Sequence, residues 1–228
     1  MPDRSYEAMG FTPAVSLSTQ IADHIGDQII IGELNADDRI QELRIAKQLS
    51  VSRGSVREAL LILEARGLVN ILPRRGALVS GMECSDIAEL TEVSAELLII
   101  FFRRFAERLS VSRKTDLSIV HTALEQAQKS AERGSVRDFT EARFDLVRAG
   151  LAMMRASYLS SLLTELMPSW HRLAVIAHRH SRADLHDDLR FTRALWEAVQ
   201  LCDGARVEEL IRAHCKREGR MAQEVISN

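Results

Sequence analysis

The sequence predicts a mainly α protein in two parts: three short helices followed by a two-stranded hairpin, then an all-helical antiparallel bundle. Three observations predict it. Aromatic residues make up only 5% of the 228 residues while hydrophobic residues reach 46%, so the core is built mostly from Leu, Ile, Val and Ala, a composition common in helical cores. From Cys84 onward no stretch alternates apolar and polar as a half-buried strand would, and apolar residues recur at helical spacing. Only the stretch Leu68–Ser80 reads as strands, and it is short.

The elements follow from local signals. Ser18 is placed to cap a first helix running to about Ile31, with Leu17, Ile21, Ile25 and Ile29 on one stripe and Gly32 at its end. Asn35-Ala36-Asp37-Asp38 reads as a turn. A second helix fits Gln41–Leu49, with Leu43, Ala46 and Leu49 inward. Ser50-Val51-Ser52 breaks it, and Ser52 caps a third helix, Arg53–Arg66, which carries Val56, Leu60 and Leu63 at i, i+4, i+7 and stops at Gly67. Strands over Leu68–Leu72 and Ala77–Ser80 are joined by Pro73-Arg74-Arg75-Gly76. Helices are then predicted over Ser85–Arg108, Thr115–Arg133, Ser135–Ala156, Ser157–His180, Leu185–Leu201 and Arg206–Ile226. Pro168 should kink or divide the fourth of these, and Asp203 should cap the last. The expected organisation is a flexible arm over 1–15, a first domain over 16–82 and a second over 83–228.

Charge narrows the function. The net charge is −2, so no global basic excess marks the chain. Between Arg39 and Gly76, however, eight Lys/Arg face three acids, a local excess of five positive charges of the kind a phosphate backbone attracts. Cys84, Cys202 and Cys215 form no CxxC pair, which fits reduced thiols in a cytoplasm. Met1–Pro13 has no signal-peptide character, and the longest apolar run, Leu97–Phe102, is far short of the ~20 residues that span a bilayer. That run is expected to be a buried helix face.

Three short helices and a hairpin make a winged helix-turn-helix, whose third helix fits the major groove with its first turn against the base edges. Arg53 and Arg57 lie one turn apart at the start of that helix, with the hydroxyls of Ser52 and Ser55 beside them. Arg74 and Arg75 at the wing tip can reach the minor groove. On spacing alone, Arg53 and Arg57 fit either a base-reading pair or solvated surface cations. The segment DDRIQELRIAKQLSVSRGSVREALLILEARGLV, with RRGALV after it, resembles the N-terminal domain of the GntR family of bacterial regulators. The family pattern is similar to V-S-R-x-x-V-R-E-A-L, then L-x-x-x-G-L-V, then a wing ending R-G-x-x-V. The resemblance implies that Arg53, Arg57, Arg75 and Gly76 contact DNA. Departures are Ala36-Asp37 where the family usually has Pro-Gly, Gly54-Ser55 where it commonly has Thr-Pro, and Leu43 where it often has a basic residue, with Arg44 next to it as the substitute candidate.

The second half resembles the FCD ligand-binding domain of the FadR-like branch of this family, most clearly over ALWEAVQLCDGARVEELIRAH, with Ala198, Asp203 and His214 in step. Many such domains hold a divalent metal through an Asp, a His four residues on, and two further His. The resemblance puts Glu141, Asp145, Thr192 and His214 at those positions, so one imidazole remains. No metal is the preferred expectation. If one binds, its ligands are Glu141, Asp145 and His214. Without metal the three would form a hydrogen-bonded polar cluster. Two acids would repel an anionic effector, so the effector is expected to be neutral or cationic, or to engage Arg148 or Arg103. Ser94 stands where the family often has a basic residue. The clustered His171, His178, His180 and His186 read as surface or core residues, Cys215 as packing, and Trp170 and Trp196 as walls of the cavity or of a dimer seam.

No phosphate loop, catalytic triad order or cofactor motif appears, so an enzyme is not expected. The expected function is a cytoplasmic, homodimeric transcription regulator, by resemblance more often a repressor, that binds a palindromic operator under control of a small-molecule effector. The alternative is an effector-independent DNA-binding protein whose helical half only dimerises.

Overall fold

The computed structural model describes residues 15–111, 117–154, 157–178 and 183–227. The expected arm, apart from Val15, lies outside the described residues, as do Thr115, Ala156 and His180. Twelve elements are described: α1 (Leu17–Ile30), β1 (Arg39–Ile40), α2 (Glu42–Leu49), α3 (Arg53–Ala65), β2 (Val69–Leu72), β3 (Gly76–Val79), α4 (Cys84–Val111), α5 (Ser118–Arg133), α6 (Val136–Met154), α7 (Ser157–Ala177), α8 (Ala183–Gln200) and α9 (Gly204–Ser227).

The first domain packs α1 and α3 around Ile21, Ile25, Val56, Leu60 and Leu63, with Leu68 and Val79 closing the core from the sheet side. Its sheet has the antiparallel order β1-β3-β2, with Ile40 opposite Ala77 and Leu72 opposite Gly76. β1 is absent from the sequence reading because two residues carry no periodicity. Two further expectations are corrected. The cap of α1 is Ser16, whose Oγ accepts from the Thr19 N–H at 3.1 Å. Ser18 lies inside the helix, and its hydroxyl donates to Glu58 on α3. Leu43 is 66% exposed, because α2 is only eight residues long and its one buried position is Ala46. Helix α7 runs through Pro168 without being divided there, one of the two outcomes expected of that proline, since Leu163, Met167, Trp170 and Leu173 bury it on both sides.

The second domain is a helical body centred on Phe101, Phe105, Phe144, Leu163, Trp170, Val199, Val207 and Ile211. The run Leu97–Phe102 is largely buried as expected, although Ile100 remains 43% exposed. No helix among the described residues is long and apolar enough to cross a membrane. Gly134 turns α5 into α6 with φ of 68°, a conformation that suits glycine. The two domains are joined through α7. Ser169 Oγ donates to the Arg66 carbonyl at the end of α3 (2.6 Å), and the buried Arg172 Nη1 donates to the Ser80 carbonyl beyond β3 (2.7 Å).

Candidate nucleic-acid interface and the helical-domain cluster

The candidate interface is built at the start of α3. Ser52 caps the helix: its Oγ accepts from the Ser55 N–H at 3.0 Å, and the two hydroxyls lie 2.9 Å apart. The cap fixes the first turn, and with it the direction of Arg53 and Arg57. Their side chains are 67% and 76% exposed, and each lies 3.6 Å from the Glu42 carboxylate at the start of α2. Glu42 therefore holds the two guanidinium groups side by side on the open face of the helix-turn-helix. Sequence reasoning missed it, although an acid opening the helix before Arg53 was a visible signal. Glu58, next to Arg57, points the other way and ties α3 to α1 through Ser18.

Arg44, Arg74 and Arg75 are all exposed and form no ion pair among the described residues. Arg74 and Gly76 have φ of 63° and 81°. The left-handed turn pushes two cations out at the wing tip, and Gly76 carries no Cβ to meet the Arg39 guanidinium, whose atoms would lie 3.9 Å away. Five exposed arginines on one domain, two of them beside a neighbouring carboxylate, suit a polyanion more than a small molecule.

In the second domain the structure separates the residues that the sequence grouped. Glu141 and Asp145 lie on the outer face of α6, with side chains 50% and 53% exposed, and both ion-pair with Arg148. The inward face of α6 is set by Phe139, Arg143, Phe144 and Val147, and positions 141 and 145 fall outside that stripe. Thr192 and His214 do come together, lining a cavity of about 40 Å³ walled by Leu98, Phe102, Phe144 and Ile211. The Thr192 hydroxyl is spent on its own helix, donating to the Asp188 carbonyl at 2.7 Å. Ser94 is buried, and its hydroxyl has no hydrogen-bond partner among the described residues.

A buried charge cluster, which the sequence reading did not find, lies beside that cavity. Arg143 Nη1 donates to Asp188 Oδ2 (2.9 Å) and Glu218 Oε1 (3.1 Å), while Nη2 lies 2.5 Å from His214 Nε2. His178 Nε2 is 2.7 Å from Asp188 Oδ2, Arg217 pairs with the same carboxylate, and Trp170 Nε1 donates to Glu218 Oε2 at 3.1 Å. Burial raises the Glu218 carboxyl, but the Arg143 guanidinium outweighs it and holds the group well below the usual carboxylate range. Burial, reinforced by Arg143, lowers His214, which stays neutral and accepts from Arg143 through Nε2. Its ring stacks on Phe191 with centroids 3.9 Å apart. His171, at the edge of α7, is lowered to about 4 by burial and by Arg148 and Arg143. Burial pushes the Cys215 thiol up to about 12, which disfavours the thiolate.

The residues do not fit the metal that the resemblance implies. Glu141 and Asp145 face solvent. His178, Asp188 and Glu218 converge within 4.8 Å, but the Arg143 guanidinium bonds the same carboxylate oxygens that an ion would need.

A winged helix-turn-helix with arginines at the start of its third helix, joined to a helical body, defines a DNA-binding transcription regulator. Residues 17–79 match the family described as bacterial regulatory proteins, gntR family. The HTH-type transcriptional regulator LutR of Bacillus subtilis is 26% identical over 203 residues, spanning 80% of this chain and 90% of its own. The gluconate operon transcriptional repressor of the same organism is 29% identical over 196 residues, spanning 85% and 76%. Among solved structures, McbR/YncC of E. coli aligns with a TM-score of 0.72 at 22% identity over 94% of this chain and 97% of its own, which shows a shared fold through both domains. A transcriptional regulator GntR from Rhodococcus sp. RHA1 aligns with the same score at 21% identity, over 92% and 97%. Residues 17–79 thus form a gntR-family domain, and the chain as a whole is similar to the regulators named here.

Proposed function

We propose that the chain is a homodimeric repressor that works in the cytoplasm and reads a palindromic operator, one half-site per winged domain. The observation that carries this reading is the Ser52-capped start of α3, which presents Arg53 and Arg57 as a fixed, exposed pair. Arg53 and Arg57 meet base edges or their phosphates, and Ser52, Ser55 and Arg44 add contacts to the backbone. Arg74, Arg75 and Gly76 bring the wing against the adjacent groove. Dimerisation is supported by an apolar stripe on the FCD-like domain, where Val93, Ile100 and Leu162 are exposed beside Leu97. One relative is named a repressor, which supports the sign of regulation.

An effector of the helical domain would enter between α4, α6 and α8, beside Thr192 and His214. The walls there are apolar and Arg143 is already neutralised, so a small neutral molecule suits the site better than a carboxylate. The effector-independent reading has an observation of its own: about 40 Å³ admits a water or two, so a metabolite must first displace side chains such as Phe191.

The test is operator binding by Arg53→Ala and Arg57→Ala. Each is expected to lose about 5- to 150-fold in affinity, the equivalent of roughly 1–3 kcal/mol for a base-reading arginine. Melting temperature should hardly change, because both side chains are exposed. Unchanged affinity in both variants would reject the assignment.

A further inference from the structure

We infer that Arg143 is a tethered cation filling the place of a divalent ion in the helical domain, and that removing its guanidinium turns the cluster around it into a metal site. Three side chains contact this group, and a fourth, His178, bonds the Asp188 carboxylate beside it. His178 comes from the end of α7, Asp188 from α8, and His214 and Glu218 from successive turns of α9. Two imidazoles and two carboxylates are the ligand set that zinc and manganese take in proteins. Here three of the four are directed onto one guanidinium, at 2.9 Å from Asp188, 3.1 Å from Glu218 and 2.5 Å from His214, and His178 stands 2.7 Å from Asp188.

Charge decides between the two occupants. Arg143 and Arg217 balance Asp188 and Glu218 with both cations in contact with the acids. A divalent ion added beside Arg143 would leave two uncompensated charges in an interior that Phe139, Phe144 and Trp170 keep apolar. Removing Arg143 reverses the balance: one arginine then faces two buried acids, and His214 loses the donor on Nε2. A divalent ion then leaves a net charge of one instead of the two it would leave beside Arg143, and it satisfies the same oxygens and nitrogens.

The experiment compares chelator-treated parent, Arg143→Ala and Arg143→Lys by thermal melting and by metal content, with zinc and with manganese. The parent is expected to keep its melting midpoint within about 1 °C and to hold well under one ion per chain. Arg143→Ala should melt lower in chelator, then gain roughly 5–10 °C once the metal exceeds its Kd 100-fold, with one ion bound. Glu218→Gln in that background should abolish the gain. Arg143→Lys keeps the charge and should ignore metal as the parent does. If the alanine variant is recovered unfolded, refolding with zinc decides: return of the helical signal with one ion bound supports the inference. No recovery, no metal response in a folded alanine variant, or one tightly bound ion in the parent or the lysine variant would overturn it.

Discussion

Glu218→Gln isolates the electrostatic centre of the helical domain with almost no change of shape. In the parent, one carboxylate oxygen accepts from Arg143 and the other from Trp170. Glutamine offers one oxygen, so one of those buried donors loses its acceptor, a loss of about 1–3 kcal/mol. The charge lost as well leaves Arg143 facing Asp188 alone, and breaking a buried pair typically destabilises by roughly 3–5 kcal/mol in all. For a chain of this size that corresponds to a drop of roughly 6–20 °C in melting midpoint. Circular dichroism at pH 7 measures it. Acid supplies a second readout. The folded Glu218 carboxyl sits below the unfolded value of about 4.3, so its stabilisation is complete above that pH and fades as pH falls toward the folded value. Parent and variant should therefore converge in acid. A variant that melts within about 2 °C of the parent at pH 7 would refute the reasoning.

Other substitutions probe packing and charge elsewhere. An alanine at Gly150 would set its Cβ 2.6 Å from the buried Phe101 ring, and the displaced ring should destabilise the protein by about 1–3 kcal/mol in chemical denaturation. Leu43→Ala, on an exposed side chain, should change stability by less than about 0.5 kcal/mol. Glu42→Gln loses two exposed ion pairs and should lower stability by under about 1 kcal/mol, while operator affinity should fall more steeply with salt, because no carboxylate then offsets the arginines beside the phosphates. A thiol reagent at pH 8 should label Cys84 and Cys202 rapidly and Cys215 only on unfolding, as mass spectrometry of the labelled chain would show.

Local features made the first domain legible. The stripe of Ile21, Ile25 and Ile29, the serine before Arg53 and the glycine after Arg66 each act within one or two helical turns, and the helices stand where those signals put them. The misses there were short-range competitions: two serines near one helix start, and an eight-residue helix with room for a single buried position. The helical domain was legible as helices but not as a site. Arg143 meets Asp188 and Glu218 across 45 and 75 residues of chain, and no spacing rule reaches that far. One local sign existed: Arg143 lies four residues from both Phe139 and Val147, on the buried stripe of α6. The i, i+4 pair of acids drew attention instead, although its positions fall on the outer face.

The single turn Ser169–Arg172 of α7 belongs to both halves of the molecule. Ser169 and Arg172 grip carbonyls of the DNA-reading domain, and Trp170 between them is bonded to Glu218. Any repacking that moves Trp170 must carry its helix neighbours along, because four consecutive residues share one rigid turn. The distance between the inside of one domain and the footing of the other is thus about the rise of that turn, roughly 5 Å. Three hydrogen bonds of one turn thus tie the interior of the helical domain to the base of the DNA-reading domain.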